Sequence, residues 1–263
     1  MAADHSSRDS VPFMGSGYPP RYSVPRRGAT ALHGYFSPKG LATAREVRGG
    51  HAGRVTLHAP DSAVEGFLAS GSARYLGAHP RVALAVTIGH TEQIVAALRN
   101  DLAMLGIVTW KFATAASDLV PLLHFREPLC AVVAPTYPLT RARTVTIADF
   151  IAGAGPFYPI VWGTARDHLI ARPAHAGEPA SELPHELVRR LIATGRGGAF
   201  FPRTVIANAR ASDDLAIVPL AEAECPVREL ALVRYADGPA RSPAALDLIA
   251  AIGGAAGDLG VRK

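Results

Sequence analysis

A chain of 263 residues that is 49% hydrophobic can bury a sizeable core, in one domain or in two small lobes, and 19% charged residues argue against wholesale disorder. No uncharged apolar run reaches the roughly 18–20 residues that cross a bilayer, and the opening MAADHSSRDSVPF has Asp4 and Asp9 but no apolar stretch, so neither a membrane span nor a secretory signal is expected. The net charge of +5 is concentrated in residues 1–50, where seven basic residues face three acidic ones; the remaining surplus of one is too small for an electrostatic footprint on nucleic acid.

Residues 1–30 contain Pro12, Pro19, Pro20 and Pro25 and read as an irregular leader; GLATAREVR, residues 40–48, can form a short helix that Gly49 and Gly50 stop. From residue 54 the pattern becomes regular. RVTLHA alternates and predicts a strand, followed by a helix that opens on a capping box of Ser62 and Glu65. VALAVTI, residues 82–88, suits a strand buried on both faces, Thr91 starts a second helix, and LGIVTW, residues 105–110, is a third strand. Strand–helix–strand–helix–strand implies a parallel sheet with crossover helices. Leu119–Phe125 and Leu129–Val133 are further apolar runs, the second ended by Pro135–Pro138. A short helix at IADFIAG and a strand at FYPIVWG follow, and Thr164 caps a helix through Ile170. Then come a helix over Leu183–Thr194, a buried strand at GGAFF, a helix opened by Pro202, strands at Leu215–Leu220 and Leu230–Tyr235, and a last helix from Ser242-Pro243 through Ile252.

Over about residues 40–253 these segments, in this order, resemble the effector-binding domain of LysR-type transcription regulators. REVRGGHAGRVTLHAPDS is similar to the end of that family's linker helix with its first strand and loop. GSARYLGAHPRVALAVTIGHTEQIVAALRNDLAMLGIV is similar to its second unit, EPLCAVVAPTYPLTRARTVTIADF to its crossing into a second lobe, and LVRRLIATGRGGAFFPRTV to its helix, glycine turn, strand and proline-started helix. Met104 departs from the pattern, standing where the family usually has Asp before the third strand. The resemblance implies an α/β, two-lobed periplasmic-binding-protein-like (type 2) fold with parallel-rich central sheets. Lobe I would span 51–134 plus 229–253, lobe II 135–228, with a leader at 1–50 and a tail at 254–263. It also implies a homodimer of effector domains, paired side by side through lobe I and lobe II faces, to which the Leu84–Val86 strand region and the adjacent helix could contribute. The family's winged helix-turn-helix is not recognisable in residues 1–50, so DNA contact is expected only through such a module, and truncation, a shifted start, a frameshift and a stand-alone sensor all stay open.

In open parallel sheets, ligands sit beyond the carboxyl ends of the strands, where helix N-termini favour anions. Ser62, Thr91 and Thr164 stand at such turns and, opposed across two lobes, could hold a small organic effector, a carboxylate among the options. His90, Thr109, Trp110 and Trp162 could add polar contacts and an apolar wall. The hydroxyl residues are equally readable as plain helix caps, the tryptophans as hinge packing and His90 as a solvated turn residue. His58 faces away, and His185-Glu186 reads as exposed helix surface.

No Gly-x-Ser-x-Gly elbow, His-Glu-x-x-His or Cys-x-x-Cys occurs, and GRGGAF lacks the third glycine of a dinucleotide loop. No catalytic residue, cofactor or metal is therefore expected. Cys130 and Cys225 read as reduced, partly buried thiols, consistent with a cytoplasmic location. A transport solute-binding protein and a small-molecule enzyme on the same fold are the alternatives; a signal peptide would favour the first and a convergent acid–base or nucleophile pair the second.

Overall fold

The computed structural model describes residues 53–100, 104–162, 183–209, 215–221, 225–238 and 242–261, all within the compact unit Thr43–Lys263. Strand β1 (Gly53–Ala59) alternates as its sequence demands, with Val55, Leu57 and Ala59 fully buried. It pairs in parallel with β2 (Val82–Ile88) on one side and β3 (Leu105–Thr109) on the other. Helices cross over between them: α1, made of an α-turn (Asp61–Ala63), a π-turn (Val64–Leu68) and a further α segment (Ala69–Ala78), and α2 (Thr91–Arg99).

Beyond β3 the sheet turns antiparallel. A short helix α3 (Trp110–Ala115) leads into β4 (Leu119–Val133); with β5 (Gly198–Pro202), β6 (Ala216–Val218) and β7 (Val227–Tyr235) the order becomes β2-β1-β3-β7-β4-β5, with β6 also on β4. The two apolar runs read at 119–125 and 129–133 are thus one 15-residue strand. Its first part pairs with β7 (Val227–Tyr235), and Leu129–Val133 pairs with β5 (Gly198–Pro202). The change of partner at Leu129 comes ahead of the crossing that Pro135 suggested near Ala134, because pairing, rather than the proline that ends the strand, decides where the sheet divides.

Two main cores lie either side of this change. In the first lobe, β1, β3 and β7 pack on α1 and on α7 (Pro243–Asp258). In the second, Leu129–Val133 and β5 pack on α4 (Ile147–Gly153), α5 (His185–Ala193) and α6 (Arg203–Ala209), with β6 (Ala216–Val218) alongside. A smaller core under α2 completes the first lobe.

Several local expectations change. VALAVTI is apolar but forms the edge of the sheet, so only Val82 is buried and Ile88 is 59% exposed. Of the stretch read as a strand, residues 157–162 make one isolated bridge, Phe157 to Gly198, because Pro156 and Pro159 remove two backbone donors that a strand would need. α7 runs past Ile252 to Asp258: Ala255 and Ala256 are buried, and Arg74 reaches Asp258 at 2.6 Å. Pro202 ends β5, and α6 begins at Arg203. The helix read after Thr164 lies outside the described residues.

The lobes meet in close contact at Gly66 in the π-turn. A Cβ there would collide with the Thr204 side chain of α6, whose hydroxyl is already held by Glu127. Asn208 of α6 donates its amide to the Gly66 carbonyl as well. Replacing Gly66 by Ala is expected to lower stability by about 1–3 kcal/mol through overpacking, read as a lower urea midpoint with unchanged slope.

Candidate functional site in the interlobe cleft

A cavity of about 880 Å³ opens between the lobes, at the carboxyl ends of β1 and β2. The first lobe contributes Asp61, Ser62, Ile88, His90 and Gln93, the second Ile160, Val161, Trp162, Leu183 and His185, and Arg228 and Leu230 come from β7 between them. Most of the wall is apolar; Ile88 and Val161 are 59% and 68% exposed on opposite lobes.

The floor is polar and buried. Arg228 is 2% exposed and faces Glu127, which is 1% exposed, directly across the β4–β7 register. Arg228 Nε donates to Glu127 Oε2 at 2.8 Å, and Nη2 lies 2.7 Å from the same oxygen. On the cavity side, Nη1 donates to Ser62 Oγ at 2.7 Å and Nη2 to the Ser62 carbonyl at 3.4 Å. Glu127 Oε1 accepts the Thr204 backbone N–H at 2.8 Å and its hydroxyl at 2.6 Å. Burial pushes the Arg228 guanidinium down from its usual range, and the Glu127 carboxylate opposes that shift. The guanidinium stays charged. It also sits 5.5 Å over the Trp162 ring, whose Nε1 donates to the Phe200 carbonyl at 2.7 Å.

A second cross-lobe contact borders the cavity. Glu65 of α1 faces His185 at 3.3 Å and Arg189 at 3.7 Å, one turn apart on α5, and Asp61 lies 3.8 Å from the His185 ring. These partners explain why Ser62 and Glu65 form no capping box. Pro60 takes the cap position, and both side chains are drawn to the other elements.

Of the seven residues singled out from the sequence, the fold brings Ser62, His90 and Trp162 to the cavity wall. His90, rather than Thr91, occupies the cap position of α2, with its backbone N–H donating to Gln93 at 2.9 Å; Thr91 is the first helical residue and is not in the lining. Thr109 pairs with Leu230 and precedes α3, and Trp110 stacks on His124 at 3.8 Å; neither lines the cavity. Thr164 lies outside the described residues. His185, read as exposed helix surface, is instead a half-buried lining residue, drawn in by Asp61 and Glu65. Arg228 was missed altogether. Its signal was present: Arg126-Glu127 and Arg228-Glu229 are matching dipeptides inside apolar runs, and antiparallel pairing sets each Arg opposite a Glu. The two-residue period then sends one pair outward, with Arg126 Nε donating to Glu229 at 2.9 Å, and the other into the core. Among the described residues, no group of three or more His, Cys, Asp or Glu side chains could hold a metal.

A mixed sheet shared by two α/β lobes, with a cleft at the strand ends, defines the two-lobed periplasmic-binding-protein-like class. Within that class the chain belongs to the LysR substrate binding domain family, whose model matches residues 48–256. It is an effector-binding domain of a LysR-type regulator. Similar solved structures include the reduced OxyR regulatory domain of Pseudomonas aeruginosa, 17% identical over 77% of this chain and 98% of that one, TM-score 0.63. A full-length OxyR variant from the same organism is 18% identical over 85% and 80%, TM-score 0.65. Oxidized OxyR of Corynebacterium glutamicum is 16% identical over 89% and 74%, TM-score 0.62. At these identities the likeness is one of fold. No curated protein matches the chain.

Removing one partner of the floor pair strands the other charge. Glu127→Gln is expected to cost about 3–5 kcal/mol in urea unfolding, and adding Arg228→Met to it should recover part of the loss, because the unpaired buried charge is then gone.

Proposed function

We propose that the interlobe cleft binds a small organic effector and that occupancy shifts the balance between lobe arrangements, which a LysR-type regulator converts into transcription control. The observation that carries this reading is the cavity of about 880 Å³, walled by apolar side chains of both lobes over a buried Arg228–Ser62 floor. Ser62, His90 and Trp162 are the direct contacts in this reading. Thr91, Thr109 and Trp110 act from behind the wall, and Thr164 is retained as a candidate.

We assign residues 51–134 plus 229–253 to lobe I and 135–228 to lobe II, with β4 and β7 as the connecting strands and the end of β4, Leu129–Val133, reaching over into the core of lobe II. The exposed apolar edge at Val86 and Ile88 supports a homodimer through β2. In this reading DNA is contacted only through a helix-turn-helix module and the protein works in the cytoplasm without a cofactor. No helix among the described residues is long and apolar enough to cross a membrane.

Thermal unfolding against a panel of carboxylates, aromatics and amino acids tests the reading. A cognate compound at about 100 times its Kd should add roughly 2.7 kcal/mol of stability. Ser62→Ala should weaken that response markedly while the variant stays folded. A panel without a concentration-dependent response would sink the sensor reading.

A further inference from the structure

We infer that the effector is a monocarboxylate with an apolar body, anchored by the Ser62 hydroxyl and the Arg228 guanidinium together; the inference rests on the cleft being the effector site. Arginine has donors and no acceptor, so Ser62 Oγ uses a lone pair to accept from Arg228 Nη1 and keeps its own proton to donate. Among the described residues no acceptor takes that proton. Arg228 donates one hydrogen bond to Glu127 and two to Ser62, and its Nη2 also lies 2.7 Å from Glu127; among the described residues nothing takes the second N–H of Nη1, the atom 2.7 Å from Ser62 Oγ. Among the described residues two donors therefore stand side by side at the buried end of the cleft, where an oxygen acceptor satisfies both.

The sign of the field follows from the order of the pair. Arg228 lines the cavity, and Glu127 lies behind it, turned to the Thr204 backbone and hydroxyl. The ion pair is neutral as a whole, but its positive end faces the ligand, in surroundings that screen little. Asp61, the carboxylate in the described lining, is half-exposed and sits beside His185, so a second anionic group on the ligand would meet repulsion there. The exposed side chains of Ile88 and Val161, from opposite lobes, ask for an apolar body between them. The expectation that helix N-termini would hold the anion is thereby replaced: the donors are a hydroxyl and a strand arginine.

Calorimetric titration of the whole chain with phenylacetate, phenylacetamide, phenethylamine and isovalerate, each to millimolar concentration, tests this. A carboxylate should bind at least about tenfold more tightly than its amide, the difference that a charge-assisted hydrogen bond supplies. Ser62→Ala, which leaves the Arg228–Glu127 pair in place, and Arg228→Lys, which keeps the charge but loses the fork, should each erase that preference, with folding checked by circular dichroism. Damage to the cleft as a whole would weaken acid and amide alike and keep their ratio, which overturns the anchor. Tighter binding of the amide or the amine also overturns it but leaves the effector cleft standing. Failure of every probe to bind overturns both.

Discussion

The structure depends most on the buried pair of Glu127 and Arg228. Two opposite charges, each at most 2% exposed, are tolerable because they meet each other and further polar groups: the two oxygens of Glu127 meet Arg228 and Thr204, and the guanidinium reaches on to Ser62. The pair therefore acts as a register pin. A one-residue slip of β7 on β4 would send Arg228 and Glu127 to opposite faces and bury Arg126 or Glu229 in their place. Its members also touch α1 in the first lobe and the start of α6 in the second, so the same few atoms that fix the sheet fix the lobes against each other.

The closeness of the lobes follows from the helix after β1. Its π-turn over Val64–Leu68 carries Gly66, and only the missing side chain lets the helix backbone meet Thr204. The turn also directs Glu65 toward His185 and Arg189. π-turns inside α-helices recur at functional sites because the extra residue re-aims neighbouring side chains. Here the re-aimed residues, Ser62 just before the turn and Glu65 within it, are those that bridge the cleft.

The sequence was most legible where one strand or helix answers to its own neighbours. Alternation placed β1, the apolar run placed β3, Thr146 and Ser242 cap α4 and α7 as their positions suggest, with bonds of 3.0 and 3.2 Å to the third residue on, and the order of segments resembled the family the chain belongs to. It was least legible where the same composition serves two environments. VALAVTI reads alike as a central or an edge strand, since hydrophobicity says nothing of how many neighbours a strand acquires.

By itself, then, the sequence determined the class of fold, the first three strands with the two helices between them, and the position of Ser62 and His90 just beyond strand ends, because strand period, turn chemistry and position at a strand end are local properties. Only the tertiary structure decided that Ser62 bonds an arginine 166 positions away instead of capping its helix, that His185 turns inward and that Thr109 and Trp110 stand outside the lining. The physical reason is that a polar side chain takes the strongest partner within reach, and which partners come within reach is set by the pairing of β4 with β7 and by the approach of the two lobes.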